Sequence, residues 1–453
     1  MSNILPPALV RSLNDKFDFE ESDFFKVHEA GERVTSIRLN PFKLGNEYQE
    51  LELVPWCSLG RYLPERPSFI ADPLFHAGCY YVQEASSMFL EQALKHSVDL
   101  GEDLRVLDLC ASPGGKSTLI ASLLNNESLL VSNEIIKSRV PALSDNLTKW
   151  GVLNSVVTNN DPKDFSRIEA YFDVMVVDAP CSGSGMFRKD PAAIEEWSEN
   201  GVHLCSERQQ RILADSYQAL AAEGILIYST CSYSVEENEN IADWLCDNFD
   251  LTSIQIPIEP TWGIVETLSE KHKCYGYRFY PHKVKGEGFF ISVFRKNDGK
   301  AKFRANRYKT EKIPATVTEV ISKWLTAPVD LWTIPVGEGY AVINKSHQAD
   351  IQFLQSKLYL KKAGVFVGKI AGKDLIPDQA LAQSTILSER VQRADLSKEE
   401  AIAYLRKDDF KLNKNLTGWT LMCFKNFGLG WAKILPNRIN NYYPKELRIL
   451  KDI

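Results

Sequence analysis

Between residues 101 and 296 the chain repeats one unit, a short apolar run followed by a stretch of helical character. The runs read LRVLDLC, LLVSNE, SVVTN, DVMVVDA, GILIYST and, late, GFFISVF. Between them lie KSTLIASLLN, SRVPALSDNLTKWG, CSERQQRILADSYQALAAEG and VEENENIADWLCDNF. The runs are too short to span a membrane and read as buried strands. Strands that alternate with helices need crossover connections, and crossovers build a mostly parallel sheet. The expected class is therefore α/β. Open sheets of this kind bind ligands at the carboxyl ends of their strands. The residues just after each run become the candidates for function.

The first such loop reads DLCASPGGKST, residues 108–118. Gly115, Lys116 and Ser117 fit the end of a phosphate-binding G-x-x-x-x-G-K-[ST] loop, and Asp178 stands where a magnesium-holding aspartate would be. The first glycine of that pattern is Cys110 here, so the match fails at a fixed place. Gly114 and Gly115 still let the backbone pass close to a ligand. The next strand ends in Glu134, an acid suited to ribose hydroxyls. The third is followed by Asp161, which could accept from an adenine amino group. Glycine loop, ribose acid and adenine acid describe a nucleoside site without phosphate, such as one for S-adenosylmethionine. The competing reading of Glu134 is an exposed charge at a strand end.

Two further strand ends carry cysteines. Asp178, Pro180 and Cys181 lie in DAPCSGSGMFRKDP, and Cys231 lies in YSTCSYSVEENE. Both turns are rich in Ser and Gly, and both would face the crevice of the glycine loop. A single cysteine at a strand end is core packing more often than catalyst. Two of them with an Asp and a Lys suit attack on an electron-poor ring, and Lys116 would favour a thiolate. The remaining cysteines read as small packed side chains, Cys110 among them, although it belongs to the cofactor loop.

The chain has 453 residues, enough for two or three domains. No basic start followed by an apolar stretch marks a secretory signal. No C-x-x-C pair argues for a metal site or a disulfide framework, so reduced cytoplasmic cysteines are expected and no metal. The net charge of −6 argues weakly against nucleic acid, but the distribution is uneven. Residues 271–312 hold 13 Lys/Arg against 3 Asp/Glu, interleaved with Tyr275, Tyr277, Phe279, Tyr280 and Tyr308. Such a block suits a phosphate backbone with stacked bases; the plainer reading is a solvated linker. Four regions are expected: an acidic 1–100, an α/β core over 101–296, a basic linker over 297–316, and a small mixed domain over 317–453.

CASPGGKST, DAPCSGSGMFRKDP and STCSYSVEENE, in this order and spacing, resemble the signature motifs of the NOL1/NOP2/Sun family of S-adenosylmethionine-dependent RNA (cytosine-5) methyltransferases. SIRLN and HAGCYYVQEASSM resemble pieces that precede the catalytic fold. GMFRKDP, PHKVKGEGFF and GLGWAKILPNRINNYYPKELR look most like the bacterial RsmF group, which acts on small-subunit ribosomal RNA. The resemblance implies a Rossmann-like class I methyltransferase core, an N-terminal RNA-binding-type subdomain and a C-terminal PUA-like domain. It assigns ring attack to Cys231, release to Cys181, ring stabilisation to Asp178 and orientation of Asp178 or the thiolate to Lys116. It places the methionine part of S-adenosyl-L-methionine on Cys110, Ala111, Ser112, Pro113, Gly114, Gly115 and Lys116, with Asp178 beside it. It gives the ribose to Glu134, a supporting role to Arg139 and the adenine to Asp161. The implied partner is ribosomal RNA or the small subunit, with no membrane. Transfer RNA as substrate and a non-catalytic ribosome-assembly role are the alternatives.

Overall fold

The acidic first hundred residues form three antiparallel strands, β1 (Thr35–Leu39), β2 (Gly60–Leu63) and β3 (Tyr80–Val82), with β1 in the middle. This is a computed structural model that describes residues 5–451, apart from 15, 300–302, 304–312, 327–329, 411 and 413–415. The next five apolar runs become β4 (Arg105–Asp108), β5 (Leu129–Asn133), β6 (Ser155–Thr158), β7 (Phe172–Asp178) and β8 (Leu220–Thr230). All five pair in parallel, in the order β8-β7-β4-β5-β6. The chain steps outward from β4 to β6, then returns to the other side of β4. That reversal, between β4 and β7, is where open α/β sheets leave a crevice.

Successive side chains on these strands enter opposite cores. Val106, Val174, Val176 and Ile227 pack with Leu119, Ile120, Leu143 and Leu147 of one helical layer. Leu107, Met175, Val177 and Leu226 pack with Ile212, Leu213, Ile241 and Leu245 of the other. Both faces are covered, which is why the runs are apolar throughout rather than alternating. Each such side chain contributes roughly 1.5–3 kcal/mol on burial.

The sheet is less uniformly parallel than the alternation predicts. The late run forms β12 (Phe289–Lys296), which lies antiparallel against β8. It carries β9 (Leu251–Ser253) and β11 (Tyr275–Phe279), and β11 carries β10 (Val265–Leu268), all antiparallel. No helix crosses over between β11 and β12, so the chain simply turns back. The predicted helix CSERQQRILADSYQALAAEG also ends early, at Ser216, and Leu220 opens β8 against Phe172. Pairing across the sheet overrides the helical preference of Ala and Glu there.

The basic block is corrected in part. Arg278 is 1% exposed and its guanidinium donates to both carboxylate oxygens of Glu239 and to the carbonyl of Tyr233. Lys296 is buried and donates to the Leu220 carbonyl at 2.9 Å. Lys283 bridges Asp18 and Glu20, and Lys285 meets Glu52. Tyr277, Phe279 and Tyr280 are core side chains. Arg278, Lys283 and Lys296 hold the fold together instead of facing a phosphate chain, whereas Lys271, Lys273, Lys285 and Arg295 are exposed. The six cations past residue 296, Lys300, Lys302, Arg304, Arg307, Lys309 and Lys312, lie outside the described residues.

Past residue 317 the chain forms two further sheets. One contains β13 (Leu331–Val336), β14 (Gly339–Asn344), β16 (Val365–Ala371) and β17 (Asp374–Pro377). Between β14 and β16, β15 (Leu360–Ala363) leaves that sheet and pairs antiparallel with β6, extending the central sheet. The last sheet contains β18 (Arg393–Asp395), β19 (Gly418–Phe424), β20 (Phe427–Leu435) and β21 (Arg438–Asn441). Its Met422 and Leu429, with Tyr404, share one core with Ile37, Leu39 and Tyr80 of the N-terminal strands. Among the described residues no helix is long and apolar enough to cross a membrane.

Candidate active site

The loop after β4 is set by backbone bonds before any side chain acts. The amide of Leu109 donates to Val176 at 2.9 Å and that of Ala111 to Asn133 at 2.8 Å. Gly114 then turns through φ +110° and the helix Gly115–Leu123 begins. A side chain at Gly114 would be strained by that backbone angle, and a Cβ on Gly115 would come within 3.3 Å of the Tyr81 ring. Behind the loop, Ser117 donates to Asp108 at 2.6 Å. Burial raises the Asp108 pKa to about 7, against the opposing pull of the Ser117 bond.

Strand β1 braces the same helix through Arg38. This buried guanidinium donates to the Gln83 side chain at 2.8 Å, to Thr118 Oγ1 at 2.6 Å and to Ser122 at 3.1 Å. It also reaches the carbonyls of Gly115 and Thr118, and it lies 4.5 Å from the centre of the Trp150 ring.

Lys116, at the start of the helix, points to β7 and meets Asp178 Oδ2 at 2.8 Å. Burial works to lower the Lys116 pKa, but Asp178, with lesser help from Asp108 and Cys231, outweighs it and the net shift is upward. The other Asp178 oxygen accepts from Ser229 at 2.9 Å. Lys116 therefore stays charged and committed to Asp178. The phosphate-loop reading loses its cation.

Cys181 follows β7 and Cys231 follows β8, and their sulfurs stand 3.1 Å apart. The contact with Cys231, with burial behind it, pushes the Cys181 thiol well above the ordinary thiol range. Glu237 fixes this juxtaposition, a role that sequence reading missed. Its carboxylate accepts from the Ser182 amide at 2.8 Å, from the Ser182 hydroxyl at 2.5 Å and from the Ser232 hydroxyl at 2.5 Å. Ser182 and Ser232 are the residues next to the two cysteines, so one carboxylate ties both loops together. Gln209 adds a donor at 3.2 Å. Burial raises the Glu237 pKa; the serine and Gln209 bonds offset it in part. The only signal in sequence is an acid inside VEENE, where Glu236 and Glu239 have equal standing.

Two cavities meet at these groups. One, of about 400 Å³, is lined by Glu134, Ile135, Ile136, Asp161, Pro162, Arg208 and Arg211 among others. The second, of about 510 Å³, is lined by Tyr81, Gln83, Glu84, Lys116, Met186 and Phe289 among others. Cys110, Ser112, Arg139, Asp178 and Cys231 line both. Cys181 lines the first, and Ala111, Pro113 and Gly115 line the second. Every residue that the motifs single out thus lies at one junction, except that Gly114 supports the loop from behind.

The first cavity is lined by polar and apolar side chains together. Glu134 is buried, accepts from the Ile136 amide at 2.7 Å and has Arg139 at 3.7 Å. Arg139 in turn donates to the Ser112 carbonyl at 2.7 Å, joining the second strand end to the glycine loop. Asp161 spends one oxygen on the Lys163 amide at 3.1 Å, capping a short helix. Arg208, Arg211 and Asp215 close the rim, and none of the three stands out in the sequence. A nucleoside fits this donor set better than a nucleotide, because Glu134 and Asp161 would repel phosphate.

Comparisons with known proteins cover the same ground. Residues 96–295 match the family described as 16S rRNA methyltransferase RsmB/F. Residues 5–85 match the N-terminal domain of 16S rRNA methyltransferase RsmF, and residues 391–449 match the methyltransferase RsmF PUA domain. A ribosomal RNA small subunit methyltransferase F of Erwinia tasmaniensis is 28% identical, over 98% of this chain and 96% of its own length. Its namesake in Pectobacterium atrosepticum is 35% identical, over 62% of this chain and 60% of its own. Among solved structures, a methyltransferase homolog protein from Pyrococcus horikoshii is 26% identical with a TM-score of 0.51, covering 64% of this chain and 100% of that one. NSun6 from the same organism, solved with SFG, shares the fold at 20% identity and a TM-score of 0.53, over 65% of this chain and 98% of its own.

Proposed function

The chain belongs to the RsmF-type methyltransferases of the NOL1/NOP2/Sun family, and on that premise we propose that it methylates carbon 5 of a cytosine in small-subunit ribosomal RNA, using S-adenosylmethionine. One observation carries this reading: two strand-end thiols stand 3.1 Å apart beside an Asp178–Lys116 pair where two cavities meet. The relatives named above support ribosomal RNA as the substrate class, and their PUA and N-terminal domains have counterparts here.

S-adenosylmethionine, when bound, supplies an electrophilic methyl group. The first cavity fits its nucleoside part: Glu134 would take the ribose hydroxyls and Asp161 the adenine. The Ala111–Lys116 backbone, which borders the second cavity, would hold the methionine part at the junction of the two. The second cavity would take the cytosine, which must be unstacked to enter.

Carbon 5 of cytosine is a poor nucleophile. The Cys231 thiolate adds to carbon 6, forming a carbon–sulfur bond and pushing ring electrons toward carbon 5. Negative charge grows near nitrogen 3, and a proton carried in on the Asp178 carboxyl, which Lys116 and Ser229 hold in place, would pass to that nitrogen and neutralise it. Carbon 5 takes the methyl group and then holds both that group and its own hydrogen. The Cys181 sulfur, 3.1 Å from the one that must leave, would act as the base that accepts this hydrogen as a proton; the electrons left behind restore the ring double bond and expel Cys231 as a thiolate.

The test is a denaturing gel with wild type, Cys181→Ala and Cys231→Ala, each incubated with S-adenosylmethionine and either small subunits, 16S RNA or transfer RNA. A protein–RNA band that survives denaturation with Cys181→Ala alone supports attack by Cys231 and release by Cys181. Full methylation by Cys231→Ala would move the nucleophile elsewhere.

A further inference from the structure

A third cavity, of about 440 Å³, opens beside the one assigned to the cytosine. The two share Tyr81 and Val82, so the Tyr81 ring forms part of the wall between them. Nothing in the reaction above uses this space. We propose that it holds a nucleotide adjoining the target cytosine, so that the RNA strand leaves the catalytic cavity past Tyr81. The proposal rests on the RNA-methylation reading and extends it to a site of recognition.

The lining has the two features that single-stranded RNA requires. Phe69, Phe75 and Tyr81 supply aromatic surface on which an unpaired base can stack. Arg66 and Lys451 supply positive charge, and among the described residues no carboxylate side chain lines the cavity. Both cations are exposed, and the Arg66 guanidinium lies 5.3 Å from the centre of the Phe69 ring. Lys149 lies outside the lining, its ammonium 4.7 Å from the centre of the Phe75 ring. The side chain of Asn146 donates to the Pro113 carbonyl at 2.8 Å, which ties this wall to the cofactor loop.

The placement matters as much as the chemistry. Three parts of the chain meet here: the loop before β3, the helix Val140–Trp150 and the C-terminal Lys451. A nucleotide in this cavity would touch the N-terminal strands, the catalytic core and the C-terminal segment together. RNA-binding elements flanking the core would then act on the base next to the one being methylated, and not only on distant parts of the RNA.

The experiment uses the full-length protein and protein-free 16S ribosomal RNA. Arg66→Glu and Lys451→Glu, singly and together, change exposed side chains that no core depends on. Each should raise the KM for RNA about tenfold with kcat and S-adenosylmethionine affinity unchanged. Each should also flatten the salt dependence of RNA binding by ~0.7 for every phosphate that the variant no longer neutralises. In parallel, RNA carrying a photoreactive uridine on either side of the methylated cytosine should crosslink to Tyr81 or Phe69. An unchanged KM and salt slope, or crosslinks only to residues outside this cavity, would overturn the proposal while leaving the methyltransferase reading intact. Absence of 5-methylcytosine in any RNA treated with wild type would overturn the parent reading, and this one with it.

Discussion

Glu237 takes the amide and the hydroxyl of Ser182 on separate oxygens of one carboxylate. The second of those oxygens also accepts from Ser232. The arrangement sets the distance between the loops that carry Cys181 and Cys231, acting through their neighbours and not through the sulfurs. Glu237→Gln keeps the size of the side chain but replaces one acceptor oxygen with a donor. We expect kcat to fall by about 100-fold, because small displacements of reacting groups cost that much. S-adenosylmethionine affinity should hold within twofold, as checked by calorimetry beside single-turnover methylation. An equal loss in both would make Glu237 a general prop of the fold.

Asp108 should make stability depend on pH. Its folded pKa is about 7, against 3.8 for a free side chain. The folded state therefore holds this proton more tightly. The stabilisation is complete below pH 3.8 and is lost as the pH rises through about 7. Thermal unfolding followed from pH 5 to pH 8 should show this fall superimposed on the rest of the protein's titration. Asp108→Asn should remove that component and leave the remainder.

Glu134 and Asp161 should differ in their importance to the cofactor. Glu134 is buried, whereas Asp161 already spends one oxygen on a helix cap. Glu134→Ala should weaken S-adenosylmethionine by about 10- to 100-fold, the worth of hydrogen bonds to a charged group. Asp161→Ala should weaken it less and should also cost about 1 kcal/mol of stability through the lost cap. Calorimetric titration and thermal melts on both variants decide the order.

Arg38 should behave as a joint between β1 and the cofactor helix. Arg38→Lys keeps the charge but loses the planar fork and the stacking on Trp150. A stability loss of about 3 kcal/mol is expected from the donors and packing removed together. S-adenosylmethionine affinity should fall with it, because Gly115 and Thr118 lose their brace. A melt unchanged within one degree would show that the lysine reaches the same acceptors.

The central strands were readable because each apolar run sits between helices in both sequence and space. The strand ends followed from that, and Lys116, Glu134, Asp161, Asp178, Cys181 and Cys231 do meet at one place. Reading failed where a side chain finds its partner far along the chain. Arg278 looks like a cation for RNA until Glu239 comes to lie against it. Glu237 looks like any surface acid until two loops fold onto it. The strand Leu360–Ala363 has no mark that sends it to β6, because the edge it completes forms about 200 residues earlier.

That last pairing bears on how the protein is made. β6 leaves the ribosome with one edge bare, and its partner β15 follows only after the intervening chain has been synthesised. At 5–20 residues per second, the delay is roughly 10–40 seconds. An unpaired edge is a template for aggregation throughout that interval. The catalytic core can therefore acquire its fold early, but it is shielded only when translation has nearly finished, and a chain released before residue 363 carries the bare edge permanently.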